Sequence, residues 1–90
     1  MEYFLDCDKI HGKVIVRSRR EGDKITLASR KCTKTLKKLF NEISMPPEKR
    51  NSIAVFLDEN GVILVEGAGV AQRVATNKET QNVLKISIVR

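Results

Sequence analysis

A chain of 90 residues, 41% hydrophobic and 31% charged, fits one soluble α+β domain, and its longest apolar run, IAVFL, is too short to span a membrane. Four aromatic residues (Tyr3, Phe4, Phe40 and Phe56) and no tryptophan leave little from which to build a platform for stacked single-stranded bases. The net charge of +6 is unevenly spread: residues 1–12 hold one base and three acids, residues 13–40 ten bases and two acids, and residues 41–90 six of each. The whole excess therefore lies in one stretch, which implies a polyanionic partner, because a merely solvated surface intersperses the two signs.

In chain order, residues 2–6 (EYFLD) predict a short strand. Residues 13–19 (KVIVRSR) predict a strand running out to a charged end, with Ile15, Arg17 and Arg19 on one face. Glu21-Gly22-Asp23 is a turn in which Gly22 supplies a positive φ, and residues 24–27 return as a strand. Residues 28–33 read as a loop. A helix follows over about 34–44, capped by Thr33 or Thr35. Leu36, Leu39, Phe40 and Ile43 form its apolar stripe, and Lys34, Lys37, Lys38 and Asn41 lie nearly opposite. Met45-Pro46-Pro47 ends the helix, and Pro47 opens a short second helix at about 47–51. Strands are predicted at 53–57 and 62–66, joined through Asp58-Glu59-Asn60-Gly61, the strongest hairpin signal present. After a turn at Gly67-Ala68-Gly69 come a short strand near 70–75 and a closing strand over 82–89. No repeat or linker divides the chain, so residues 1–90 read as a single, mostly antiparallel unit.

Cys7 and Cys32 stand far apart and outside any paired motif. They read as free thiols in a reducing cytoplasm, one disulfide being the alternative. A zinc site wants four ligands, and His11 is the only histidine. Acid–base or nucleophilic catalysis lacks a constellation: Asp23 has no partner carboxylate or histidine, and there is no nucleophile elbow. Gly67-Ala68-Gly69-Val70 lacks the Gly-Lys-Ser/Thr ending of a phosphate loop, and Gln72 stands where a dinucleotide loop needs glycine. Arginine presents a planar fork of donors suited to phosphate oxygens, and lysine a point charge indifferent to base identity. Arg17, Arg19 and Arg20, joined by Arg30, Lys31, Lys34, Lys37 and Lys38, are the candidate anion contacts. For each of them the bland reading is a solvated or acid-paired surface residue.

The segment Arg17-Ser18-Arg19-Arg20-Glu21-Gly22-Asp23-Lys24-Ile25 resembles the R-x-R-x-x-G-D-x-h stretch of the C-terminal domain of bacterial tRNA(Ile)-lysidine synthetases. The likeness continues through Leu36–Phe40, Pro46, Arg50, the Asp58–Gly61 hairpin, Gly67 and Arg73. Ala54 departs from it, where the family often has proline. The resemblance implies a compact β-rich body with a few helices, grouped with a domain of phenylalanyl-tRNA synthetase β chains. It implies a non-catalytic module that binds the acceptor stem of the isoleucine tRNA with a CAU anticodon. The ligase chemistry, which joins lysine to the wobble cytidine with ATP and Mg, would belong to a catalytic N-terminal domain of the same polypeptide, and no cofactor or metal to this one. By the same token Arg50 and Arg73 would either touch RNA or brace the fold, Gly22 and Asp23 would shape the turn, and the setting would be cytoplasmic. A protein–protein or dimerisation module with a basic face for an acidic partner is the alternative.

Overall fold

Two apolar segments joined by a tight turn make the centre of the molecule. In the computed structural model, which describes residues 1–90, β5 (Val55–Asp58) and β6 (Gly61–Val65) pair antiparallel through a two-residue loop, Glu59-Asn60. Gly61, at φ 128°, opens β6 in a backbone state that side chains rarely adopt. A register shift between Phe56 and Leu57 leaves Ile63 without an opposite residue. Val62, Ile63, Leu64 and Val65 are all buried, as befits a strand covered on both faces. β2 (Ile15–Arg17) flanks β5 and β7 (Gly69–Val70) flanks β6, giving the order β2-β5-β6-β7.

The chain ends meet. β1 (Glu2–Asp6) pairs antiparallel with β8 (Val83–Ser87), with Glu2 opposite Ser87 and Asp6 opposite Val83. A third antiparallel pair joins β3 (Lys24–Thr26) to β4 (Thr33–Thr35). Bridges from Leu5 to Ala75 and from Leu27 to Ala71 tie these ribbons to the segment after β7. Leu5, Ile25, Leu27, Leu36, Leu39, Phe40, Val55, Val74 and the β6 residues fill one core. Each such side chain contributes about 1.5–3 kcal/mol on burial. Cys7 and Cys32 are free and exposed.

The single α-helix, α1, covers Leu36–Glu42 and is shorter than the predicted 34–44. Lys34 and Thr35 are claimed instead by β4, because Ile25 and Lys24 pair with them. Thr35 is the cap: its backbone is extended, and its hydroxyl accepts from Lys38 N at 3.2 Å. At the other end Ser44 turns left-handed at φ 56°, and Met45 N donates to Phe40 O at 2.8 Å. That pair, with Ser44 N on Asn41 O, closes the helix as glycine usually does.

Other boundaries shift by a few residues. The 13–19 strand shrinks to Ile15–Arg17, and the 28–33 loop gives Thr33 to β4. The short helix at 47–51 is a 3-10 turn over Pro47–Lys49, and the strand at 70–75 becomes β7 and a 3-10 turn, Gln72–Val74. A further 3-10 turn, Cys7–Lys9, had no signal beyond Asp6, whose carboxylate accepts from Asp8 N. Pairing partners, which local sequence does not carry, set these limits.

Candidate nucleic-acid interface

The tight turn Arg20–Asp23 organises the site. Asp23 N donates to Arg20 O at 3.1 Å, and Gly22 takes φ 87°, the state required at the third position of a type II turn. Asp23 then accepts from Arg20 N at 2.7 Å and from both amino groups of Arg17, at 2.7 and 2.9 Å. The Arg17 guanidinium, first among these, holds the Asp23 carboxyl below the usual carboxylate range. Asp23 O also accepts from Leu36 N at 2.9 Å, which hooks the turn to the start of α1. Gly22 supplies the positive φ of this turn, and Asp23 its hydrogen bonds. Arg17, expected among the anion contacts, has its fork closed on Asp23 and braces the turn.

The lysine stripe also divides. Lys37 and Lys38 are exposed on α1, while Lys34, on β4, turns to Glu42. Arg30 reaches the other oxygen of the same carboxylate at 2.6 Å. Lys34 first, and Arg30 with it, draws the Glu42 carboxyl below its ordinary value. Lys31, exposed in the turn before β4 at φ 54°, has no acidic partner. Arg73 places its two amino groups on Asp58 at 3.0 and 2.6 Å and one of them also on Gly61 O, a bracing geometry.

Arg19, Arg20, Lys37 and Arg50 come together around one cleft of about 580 Å³, walled by the Arg20–Asp23 turn, the first turn of α1 and Asn51. None of the four pairs with an acid; Glu21 is the one carboxylate at the cleft not already held by an arginine. Arg19 lies over the Phe40 ring, 5.5 Å from its centroid, and donates to Asn51 Oδ1 at 3.3 Å. Arg50 donates to Met45 O at 2.9 Å and to Asn41 Oδ1 at 2.8 Å, so it braces the helix end while lining the cleft. A second cleft, of about 830 Å³, lies across the same turn and carries Lys9, Lys24 and Arg73 on its rim. Lys24 adjoins the arginine segment and was within reach of a charge argument. The alignment of Asn51 and Phe40 beneath Arg19 had no signal in the sequence.

Fold and cleft together define a small, basic, mixed α+β module whose acid-free cations crowd the turn and one helix. The family model described as the TilS substrate C-terminal domain matches residues 14–88, and the chain belongs to that family. A tRNA(Ile)-lysidine synthase of Clostridioides difficile is 37% identical over 82 residues, covering 91% of this chain and 17% of the relative. One of Clostridium tetani is 32% identical over 88 residues, covering 98% and 19%. The chain thus spans less than a fifth of the length of these relatives. A solved structure of a TILS C-terminal domain superposes with a TM-score of 0.76 at 27% identity, covering 93% of this chain and 65% of that one. The mostly antiparallel body with one helix is that domain's fold.

Proposed function

We propose that this chain is the tRNA-binding, non-catalytic terminal module of a tRNA(Ile)-lysidine synthetase, and that it grips the acceptor stem. The observation that carries the reading is the fate of the charges in residues 13–40. Arg17, Arg30 and Lys34 are neutralised internally, and Lys13, Arg19, Arg20, Lys24, Lys31, Lys37 and Lys38 are left without an acid. Such a surface, poor in exposed rings, suits recognition of duplex RNA by backbone and shape. The ligase step, with its ATP and Mg, falls to a catalytic domain of the same polypeptide in the cytoplasm.

An acceptor-stem minihelix is expected to compete with the whole tRNA for this chain, and an anticodon-stem hairpin to compete poorly. Binding should fall steeply with salt, and Lys37→Ala and Lys38→Ala should each lower the log–log slope by about one where they meet a phosphate. Equal binding by the double variant, or equal competition by both hairpins, refutes the assignment. A protein-contact role is the second reading, favoured by β2: it is a sheet edge on which Ile15 and Val16 are 54% and 56% exposed. Displacement of the chain from RNA by polyglutamate, together with self-association in sedimentation, would favour that role.

A further inference from the structure

Most of the molecule's arginines are held by acids: Arg17 by Asp23, Arg30 by Glu42, Arg73 by Asp58 and Arg90 by Glu66. Arg19 and Arg50 are held as well, but by neutral groups: the Phe40 ring and Asn51 for one, the Met45 carbonyl and Asn41 for the other. Neutral partners fix a guanidinium in place and leave its charge uncompensated. Both arginines line the cleft that Arg20 and Lys37 enter from the turn and from α1. Four positive charges against the one free carboxylate of Glu21 leave a local excess of three. The cations come from three segments remote in sequence, and Asp23 holds two of those segments together.

We propose that this cleft is a phosphate pocket, in which Arg19, Arg20, Lys37 and Arg50 share the oxygens of one phosphate group. Arg19 and Arg50 are the pre-oriented forks, and Arg20 and Lys37 close on the anion from the rim. Asn51 positions Arg19. The source of the phosphate is a nucleic-acid strand, and on that point alone the inference rests on the RNA-binding reading. Both a terminal phosphomonoester and an internal phosphodiester present the required oxygens.

The test uses the ¹⁵N-labelled 90-residue chain with inorganic phosphate, against chloride at matched ionic strength. Saturable shifts are expected in the amides of residues 19–22, 37, 50 and 51. Arg20→Ala/Lys37→Ala should abolish them with an unchanged thermal midpoint, since neither side chain makes an internal hydrogen bond or ion pair; Lys78→Ala, outside the cleft, should not. The same double variant should bind an RNA hairpin about tenfold or more weaker. Tighter binding of the 5′-phosphorylated hairpin than of its 5′-hydroxyl form assigns the pocket to a strand end, and equal binding to the backbone. Phosphate shifts that survive in the double variant, or that never localise to the cleft, overturn the proposal. RNA binding at full strength by that variant overturns it too, and leaves the RNA-binding reading standing. Phosphate saturation at the cleft without RNA binding by the wild type supports the pocket and removes the RNA reading.

Discussion

Arg17 gives both amino groups to Asp23, whereas Arg19, two residues on, reaches no acid at all. The alternation of a strand puts the two on one side, and the sequence treats them alike. Their roles part because the turn folds Asp23 back onto the first and leaves the second over Phe40. Arg17→Ala is therefore expected to destabilise the fold by about 1–3 kcal/mol, the cost of stripping a charged partner from a largely buried carboxylate. RNA affinity should fall with the turn's geometry while the log–log salt slope stays as in the wild type, because no phosphate contact is lost. Arg19→Ala should lower that slope. Titrations at several salt concentrations, beside urea melts, separate the two; a slope lowered equally by both substitutions would put Arg17 among the contacts. The arginine cluster was plain from composition, but its division into acid-paired and acid-free members depends on a side-chain fork meeting a carboxylate six residues on.

At the scale of elements, α1 shows how local pattern and tertiary pairing compete. The apolar stripe Leu36, Leu39, Phe40 is buried as its spacing predicts, because helical periodicity is a property of the sequence itself. The first turn is different. Lys34 would continue the helix by propensity, yet β3 captures it in a strand, and Thr35 becomes the cap. Thr35→Ala should cost about 1 kcal/mol in thermal or urea unfolding, and Thr33→Ala less, since the Thr33 hydroxyl meets only the exposed Thr26 hydroxyl across the strand pair. A Thr35→Ala variant as stable as the wild type would show that Thr35 does not cap the helix. The same capture redirects Lys34 toward Glu42, so a lysine that helical spacing placed in solvent is lost from the basic face. Strand edges shift for a related reason: β2 stops at Arg17, the last residue for which β5 offers a partner.

For the molecule as a whole, two carboxylates join parts distant in the chain. Asp58, below its ordinary range through Arg73 first and then the amides of His11 and Asn60, ties the central hairpin to the segments on either side. Glu66, lowered by Arg90 above all, fastens the end of β6 to the C-terminus and to Ala54 N, the donor that the family's frequent proline at that position would lack. With Asp23, each has a folded pKa below its unfolded value. Their stabilisation is therefore present above about pH 4 and is lost as the pH falls through the depressed folded values. Urea stability should hold from neutrality to about pH 5 and decline below pH 4. Asp58→Asn should be less stable at neutral pH and decline less steeply in acid; parallel curves for variant and wild type would show that Asp58 does not couple folding to protons. Helical and strand periodicities, the Gly22 and Gly61 turns and the excess of positive charge could all be read from the residues, because each arises from neighbours along the chain or from composition. Which cations stay free, and that Arg19, Arg20, Lys37 and Arg50 share one cleft, emerged in three dimensions. An ion pair forms or fails according to what folding brings within about 3–4 Å, and no spacing along the chain records that distance.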